Sequence, residues 1–348
     1  MARKAIDVHT HVYLPRYRDL LLDRTSLPRI VKADGALRLV ILPGEDADET
    51  TASGRPIGGE YFSPERKLAY MDAHDIEISV LSLANPWLEF LDPRDAPAAA
   101  TALNEDLEGW CADAGGRFYG FGVLPVTAPE ACAAEVERIA KLPHLRGIIL
   151  GTTGLGEGLQ DPRLMAVWER LEALQLTAFI HPHHGVGDDL FTDTGHTLKL
   201  ALGFPFETTI ALARLILAGT FDRCPNLSIL AAHAGGTLPF LAGRIDGAAK
   251  TDAVRFDLKA PPSTYLKKIF VDAITYAPET LQCAGTMTGW DKVMFGTDHP
   301  FFRPDLPDER LDAGPWSSPR DNQAVIDQLQ EDRAAAIYRE NAVRQLRL

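Results

Sequence analysis

The sequence predicts an α/β fold, a (β/α)8 TIM barrel with an insertion after its first strand and a C-terminal helical extension. Three observations lead there. Strand-length apolar runs alternate with helix-length amphipathic stretches along most of the 348 residues, and repeated strand–helix units build a parallel sheet with helices outside it. Eight such units favour closure into a barrel over an open doubly wound sheet. No phosphate-cradling GxGxxG follows the first strand, as an open nucleotide-binding sheet would require.

The first strand is KAIDVHTHV (4–12), and a Pro/Gly/Asp-rich stretch, 14–61, then departs from the repeat. That insertion reads as an active-site cover, a subunit contact or a surface excursion. The helix SPERKLAYMDAHD follows, with Ser63 as cap and Pro64 in the first turn. ISVLSLA (78–84), RFYGFGVLP (117–125) and LRGIILGT (145–152) are the next strands, with the helix PEACAAEVERIAKL between the last two. GTTGLGEG (151–158) is glycine-rich but lacks the Lys-Ser/Thr of a P-loop, so it reads as a flexible turn at the barrel mouth. Asp161-Pro162 opens the helix PRLMAVWERLEAL, after which come the strand LTAFIHPH (176–183) and the helix ETTIALARLILAG. The last three strands are LSILAAHAG (227–235), KIFVDAI (268–274) and KVMFGTDHP (292–300), with helical sequence from about 319. A barrel needs ~250 residues, so the surplus is the insertion and the extension. The chain reads as one decorated domain, 1–348, without internal repeat or linker.

Composition narrows the function. With 35 Lys+Arg against 48 Asp+Glu the net charge is −13, the wrong sign for a nucleic-acid surface. Gly, Pro or His breaks every long uncharged stretch before the ~20 apolar residues of a membrane span. The N-terminus has no apolar core or cleavage site of a signal peptide. Cys111, Cys132, Cys224 and Cys283 are far apart with no CxxC pair, against a disulfide frame or a zinc knuckle. The expectation is a soluble cytoplasmic protein that binds neither nucleic acid nor membrane and acts on a small molecule.

The histidines carry the chemistry. In the first strand Asp7, His9 and His11 alternate with Ile6, Val8, Thr10 and Val12, and the period of two sends both histidines to one face. His181 ends the fifth predicted strand, His233 the sixth and Asp298 the eighth. Ionisable groups thus stand at the C-terminal ends of four strands, the face on which barrel active sites form. Imidazoles plus one carboxylate are a ligand set for zinc or a similar divalent ion. The candidate ligands are His9, His11, His181 and Asp298, with His233 as proton handler. The fourth strand lacks the lysine that would bridge a second ion, so one metal is expected. His183 and His184 are weaker ligand candidates. His74 and His144 are expected to be solvated, His196 lies in an irregular stretch, and His299 points away from Asp298.

HTH (9–11), HPH (181–183), AHAGG (232–236) and FGTDHPF (295–301) resemble the amidohydrolase superfamily. More narrowly they resemble its decarboxylase branch, with the aminocarboxymuconate-semialdehyde and γ-resorcylate decarboxylases. SLANPWLEFL (82–91), RGIILGTTGLGEGLQDP (146–162), LALGFPFETTIALAR (200–214), AHAGGTLPFLAGRID (232–246) and MFGTDHPFF (294–302) are similar to the uracil-5-carboxylate (isoorotate) decarboxylases. The similarity is weakest over 14–61 and 250–266. It implies one divalent ion (Zn2+, alternatively Mn2+), no organic cofactor, a small-molecule carboxylate substrate and a homodimer. Where several relatives place a metal-binding Glu near the first His of the motif, this chain has Asp7.

The implied reaction is non-oxidative loss of CO2 from a planar ring, with 5-carboxyuracil giving uracil. A carboxylate on an sp2 carbon leaves poorly because the released electron pair is orthogonal to the π system. Protonating that carbon first lets the C–C bond pass its electrons into the adjacent carbonyl, with negative charge gathering on O4. Asp298 and His233 are the candidate proton donors. Arg244 suits the departing carboxylate or a ring carbonyl, or else pairs structurally with Asp246. Asn85 matches a pyrimidine edge, or else forms a turn before Pro86. Phe204, Phe301 and Trp87 are candidates to wall the ring. Hydroxybenzoate or aminomuconate-semialdehyde decarboxylation, hydrolysis of a C–N or lactone bond, and a non-catalytic barrel with a structural ion are the alternatives.

Overall fold

A computed structural model describes residues 4–41, 45–46, 54–191, 194, 196–252, 256–302 and 316–348. β1 (Ala5–Val12) opens the barrel and is buried along its whole length. The insertion then builds α1 (Pro15–Leu22) and an antiparallel sheet of β2 (Arg29–Ala33), β3 (Ala36–Val40) and β4 (Arg55–Ile57). Residues 42–44 and 47–53 of that insertion lie outside the described ones. α2 (Gly59–Phe62) and α3 (Pro64–Ala73) lead back to the barrel, and Ser63 accepts a hydrogen bond from Arg66 N, the cap expected of it.

Strand–helix alternation then continues as the sequence predicts. β5 (Ile76–Leu83), α4 (Ala96–Asp113), β6 (Phe118–Gly122), α5 (Pro129–Ile139) and β7 (Leu145–Gly151) form the first half. α6 (Met165–Leu174), β8 (Thr177–His181), α7 (Phe204–Leu217), α8 (Thr220–Arg223) and β9 (Ser228–Ala231) follow. α9 (Leu238–Thr251), β10 (Ile269–Asp272), α10 (Pro278–Thr288) and β11 (Val293–Met294) complete the barrel, and α11 (Ser317–Ile326) begins the C-terminal helices. Eight strands run in the order β1-β5-β6-β7-β8-β9-β10-β11, and each ladder is parallel.

β11 meets β1 through Val8 N to Phe295 O, Thr297 N to His9 O, His11 N to His299 O and a parallel bridge between Thr10 and His299. This seam closes the (β/α)8 barrel. β8, β9 and β11 end sooner than their apolar runs suggest, for backbone reasons. Pro182 has no N–H for the ladder after His181. His233, Ala234 and Asp298 adopt positive φ (54°, 55° and 58°), which extended strand cannot accommodate. The run 227–235 therefore leaves the ladder after Ala231, and 292–300 meets β1 beyond Met294 through separate hydrogen bonds and one bridge instead of a continuous strand.

The longest apolar helical run, Lys199–Leu217, has the length and composition of a membrane span, yet half of it is buried inside the protein. It is α7 with the turn before it, packed on the barrel.

His74 is a correction. It is fully buried, not solvated. Its Nε2 accepts from Trp316 N at 3.0 Å and its carbonyl from Gln323 Nε2 at 3.0 Å, docking the C-terminal helices onto α3. Burial, aided by the Arg320 charge, pushes its pKa down to about 4. A histidine neutral in the fold but titrating at ~6.5 when unfolded stabilises fully above ~6.5 and less as pH falls toward 4. In chelator-treated protein, we expect denaturant unfolding to lose about 2 kcal/mol more between pH 7 and pH 5 in wild type than in His74→Gln. Equal pH slopes would remove His74 from the account.

Candidate metal centre

The period-two alternation of β1 brings His9 and His11 to the barrel axis, with Phe179 beneath them (ring centroid 4.8 Å from His9). Their Nε2 atoms are 3.1 Å apart, and Asp298 Oδ1 lies 3.3 Å from each. His181, at the end of β8, turns its ring to within 5.1 Å of His9 and 4.8 Å of His11, centroid to centroid. The ligand atoms of His9, His11, His181 and Asp298 all lie within 4.8 Å of one another, and all four residues are buried. The structure thus assembles the four candidates from three separate segments.

The opposite ring nitrogens explain the orientation. His9 Nδ1 donates to Asp272 Oδ2 at 2.7 Å, His11 Nδ1 to Ser82 Oγ at 2.9 Å and His181 Nδ1 to Pro182 O at 2.7 Å. Each ring therefore turns its Nε2 to the centre, as ligating histidines held by outer hydrogen bonds do. Among the described residues, His181 Nε2 and Asp298 Oδ1 are buried without a hydrogen-bond partner, which costs roughly 1–3 kcal/mol per group. A cation at the centre satisfies both. Donors 3.1 Å apart also suit a common ion ~2.0–2.1 Å from each imidazole. The residues fit a divalent metal.

Electrostatics agree. Burial opposes charge on His9, but Asp298 and Asp272 outweigh it and push the pKa up to about 10, so the two carboxylates create a site for positive charge. Burial pushes His11 down to about 4 and His181 well below its ordinary value, so both are neutral ligands. Burial would raise Asp298 too, yet His9, His11 and His233 together hold it well below the usual carboxylate range. Asp298 is ionised.

His233 Nε2 stands 3.4 Å from Asp298 Oδ2, and His233 Nδ1 is buried without a partner. Both residues have left-handed backbones, strain of ~1–3 kcal/mol each that clusters at functional sites. Gly236 makes the His233 turn possible, since a Cβ there would lie 2.2 Å from Pro205 O.

A cavity of about 630 Å3 opens beside Asp298 and His233, walled by Arg55, Asn85, Phe204 and Phe301 among others. The insertion contributes to this wall: the Arg55 guanidinium lies 5.2 Å from the centroid of the Phe301 ring. Tyr13 OH donates to Asn85 O at 2.6 Å and Tyr17 OH to Trp87 O at 2.7 Å, fastening the loop that carries Asn85. Asn85 Oδ1 is buried without a partner among the described residues. Trp87 packs edge-on to His181 (5.9 Å between centroids) and does not line the cavity.

Other candidates land elsewhere. Arg244 is exposed on α9 and outside the cavity wall, and Asp246, its alternative partner, accepts from Ser263 N and Oγ. The helical period turns Arg244 outward from the segment that carries His233. Asp7 faces away from the cluster, accepting from His9 N and from Thr297 N and Oγ1. His183 is buried outside the ligand cluster, His184 bonds Glu89, and His196 pairs with Glu45. His144 is half-buried and bonded to Glu108, not solvated.

Sequence reasoning missed Asp272, Arg55, Lys67 and Glu207. Asp272 accepts from His9 Nδ1, His233 N (2.8 Å), Ala234 N (3.0 Å) and Ile274 N (3.0 Å), tying a candidate ligand to the turn that carries His233. An acid at the end of KIFVDAI was the available signal. Glu207 accepts from Thr152 Oγ1, His183 N and Gly185 N, anchoring the loop after β8. Lys67 looks like one more helix-surface charge, and Arg55 sits in a segment without periodicity.

The amidohydrolase family model matches residues 6–348. The 2-amino-3-carboxymuconate-6-semialdehyde decarboxylase of Dictyostelium discoideum is 32% identical over 302 residues, 85% of this chain and 81% of its own. The crystal structure of IDCase (isoorotate decarboxylase) from Metarhizium anisopliae, in apo form, is 41% identical with a TM-score of 0.92, covering 100% of this chain and 98% of that one. The 5-carboxyvanillate decarboxylase LigW from Sphingomonas paucimobilis is 26% identical with a TM-score of 0.78 over 99% of each chain.

Asp272→Asn removes the charge that orients His9. Competition against a chromogenic chelator should show a 10–100-fold loss of metal affinity, the usual cost of losing such an outer partner. Unchanged affinity would mean Asp272 serves only the backbone turn.

Proposed function

Because this chain belongs to the amidohydrolase family, we propose that it is a metal-dependent, non-oxidative carboxy-lyase whose substrate is 5-carboxyuracil, released as uracil and CO2. The observation that carries this reading is the ionised Asp298, 3.4 Å from His233, at the junction of the ligand cluster and the cavity. His9, His11, His181 and Asp298 would hold one divalent ion, zinc or alternatively manganese. When bound, that ion supplies a Lewis acid that orients the carboxylate and the neighbouring ring carbonyl and stabilises negative charge there.

The chain's own groups supply the rest. Arg55 offers a guanidinium fork to the anionic edge of the substrate. The unpaired Asn85 Oδ1 accepts a ring N–H, which a pyrimidine has and a benzoate lacks. Phe204 and Phe301 cover the ring faces. The Asp298–His233 pair holds the proton and delivers it to C5. The bond from C5 to the carboxyl carbon then breaks, CO2 departs, and the electron pair re-forms the conjugated uracil ring. One proton enters for each CO2 that leaves, so no oxidant or organic cofactor is needed. Arg244 has no part in this account of one chain.

The same reading places the enzyme in the cytoplasm as a homodimer. Leu202, Phe206 and Ile210 are exposed four residues apart along the α7 run, and Phe240 on α9 is 81% exposed. Such a stripe on a soluble protein marks a contact surface. Sedimentation should give twice the 38.1 kDa chain mass, and a monomer at micromolar concentration would overturn this assignment.

Purified, metal-loaded protein should convert 5-carboxyuracil to uracil, followed by chromatography and ultraviolet absorbance. Absence of uracil refutes the substrate, turnover of a hydroxybenzoate instead moves it within the branch, and ring opening indicates hydrolysis. His9→Ala should lose both bound metal and turnover; retention of both would refute the ligand assignment.

A further inference from the structure

Lys67 belongs to α3, outside the barrel, yet it is fully buried and its ammonium reaches the seam between β11 and β1. An ammonium has three N–H donors and no acceptor. Three groups receive them: Thr10 Oγ1 at 2.8 Å, His11 O at 3.0 Å and His299 Nδ1 at 2.5 Å. Thr10 Oγ1 in turn donates to His299 O at 3.0 Å. One side chain thus joins the end of β1 to the turn after β11. The His299 ring is itself immobilised, stacked on Tyr70 at 3.6 Å between centroids.

Position gives this clamp its meaning. Three of the four candidate ligands flank the seam: His9 and His11 on one side, Asp298 on the other. Lys67 bonds the carbonyl of one ligand, His11, and the ring of the residue that follows another, Asp298. Among the described residues, β10–β11 pairing covers two positions, and the seam itself has a single β-bridge. Backbone hydrogen bonds from Val8 N to Phe295 O, from Thr297 N and Asp298 N to His9 O and from His11 N to His299 O also cross the seam, and Lys67 adds the side-chain tie at their outer end.

We propose that Lys67 is a positioning residue that sets the separation of the His9–His11 pair from Asp298, and with it the affinity and coordination symmetry of the metal centre. The proposal rests on the metal-centre reading above. It also explains why lysine stands here. Three convergent acceptors suit a compact ammonium, whereas the planar guanidinium fork of arginine sends its donors apart. A role limited to balancing the buried charge of Asp7 would be served by either residue.

Co2+ affinity by chelator competition and the visible d–d spectrum of the Co2+ form test this in wild type, Lys67→Met, Lys67→Arg and Thr10→Val. Lys67→Met should bind Co2+ 10–100-fold more weakly with altered d–d bands. Lys67→Arg should fail to restore either property. Thr10→Val, which removes one acceptor, should shift both in the same direction by less. Wild-type affinity and spectrum in Lys67→Met, or full rescue by arginine, would overturn the proposal. If Lys67→Met does not fold, an unchanged Thr10→Val overturns it by itself. Wild-type protein that binds no Co2+ would refute the metal centre, and the clamp with it.

Discussion

The mouth of this barrel is organised around the convergence of four potential ligand atoms on one buried point. Three imidazole Nε2 atoms and a carboxylate oxygen meet there, and two of these atoms have no hydrogen-bond partner in the protein. Such an arrangement is unfavourable in a packed interior. It persists because Asp272, Ser82 and the Pro182 carbonyl fix each ring from behind. Barrel closure adds the fourth ligand by carrying the turn after β11 back to β1. The fold maintains a local electrostatic conflict that a cation resolves.

The charge pattern follows from that conflict. A net charge of −13 describes the outer surface, while the cavity places Arg55 beside a cluster built for a cation. An anionic substrate is thus compatible with an acidic protein, because the local field at the mouth, and not the global sum, meets its carboxylate. The same separation distinguishes two acids of one site. Asp298 faces the cavity and His233. Asp272, one strand away and fully buried, faces only donors of the protein and serves to orient.

The insertion is part of the same device. Its Tyr17, beside Tyr13 at the end of the β1 segment, holds the loop that carries Asn85, and its last strand delivers Arg55 to the cavity wall. A barrel without it would keep the ligand cluster but lose the guanidinium and the support behind the amide. The ligand cluster and the cavity wall therefore draw on different parts of the chain.

By itself the sequence determined the barrel, because strand and helix periodicities are local and eight repeats are hard to mistake. It also placed the four candidate ligands that cluster there, since alternation in β1 and the positions of His181 and Asp298 at or just beyond a strand are properties of single elements. Asn85, Phe204 and Phe301 reached the cavity wall for the same reason, each sitting just beyond or beside a legible element. Only the tertiary structure decided the rest. Asp272 orients His9 across 263 positions of chain, Lys67 enters the seam from a helix whose pattern reads as solvated, and Arg55 comes from a segment with no period at all. Arg244 shows the complementary case: it follows closely on His233 in sequence, but the helical turn faces it outward, away from the cavity of its own chain. His74 was misjudged likewise, since its burial is supplied by a helix more than 240 residues away. Local pattern specifies which face a residue takes; which groups meet there is settled by closure of the barrel, a non-local event that no window of sequence records.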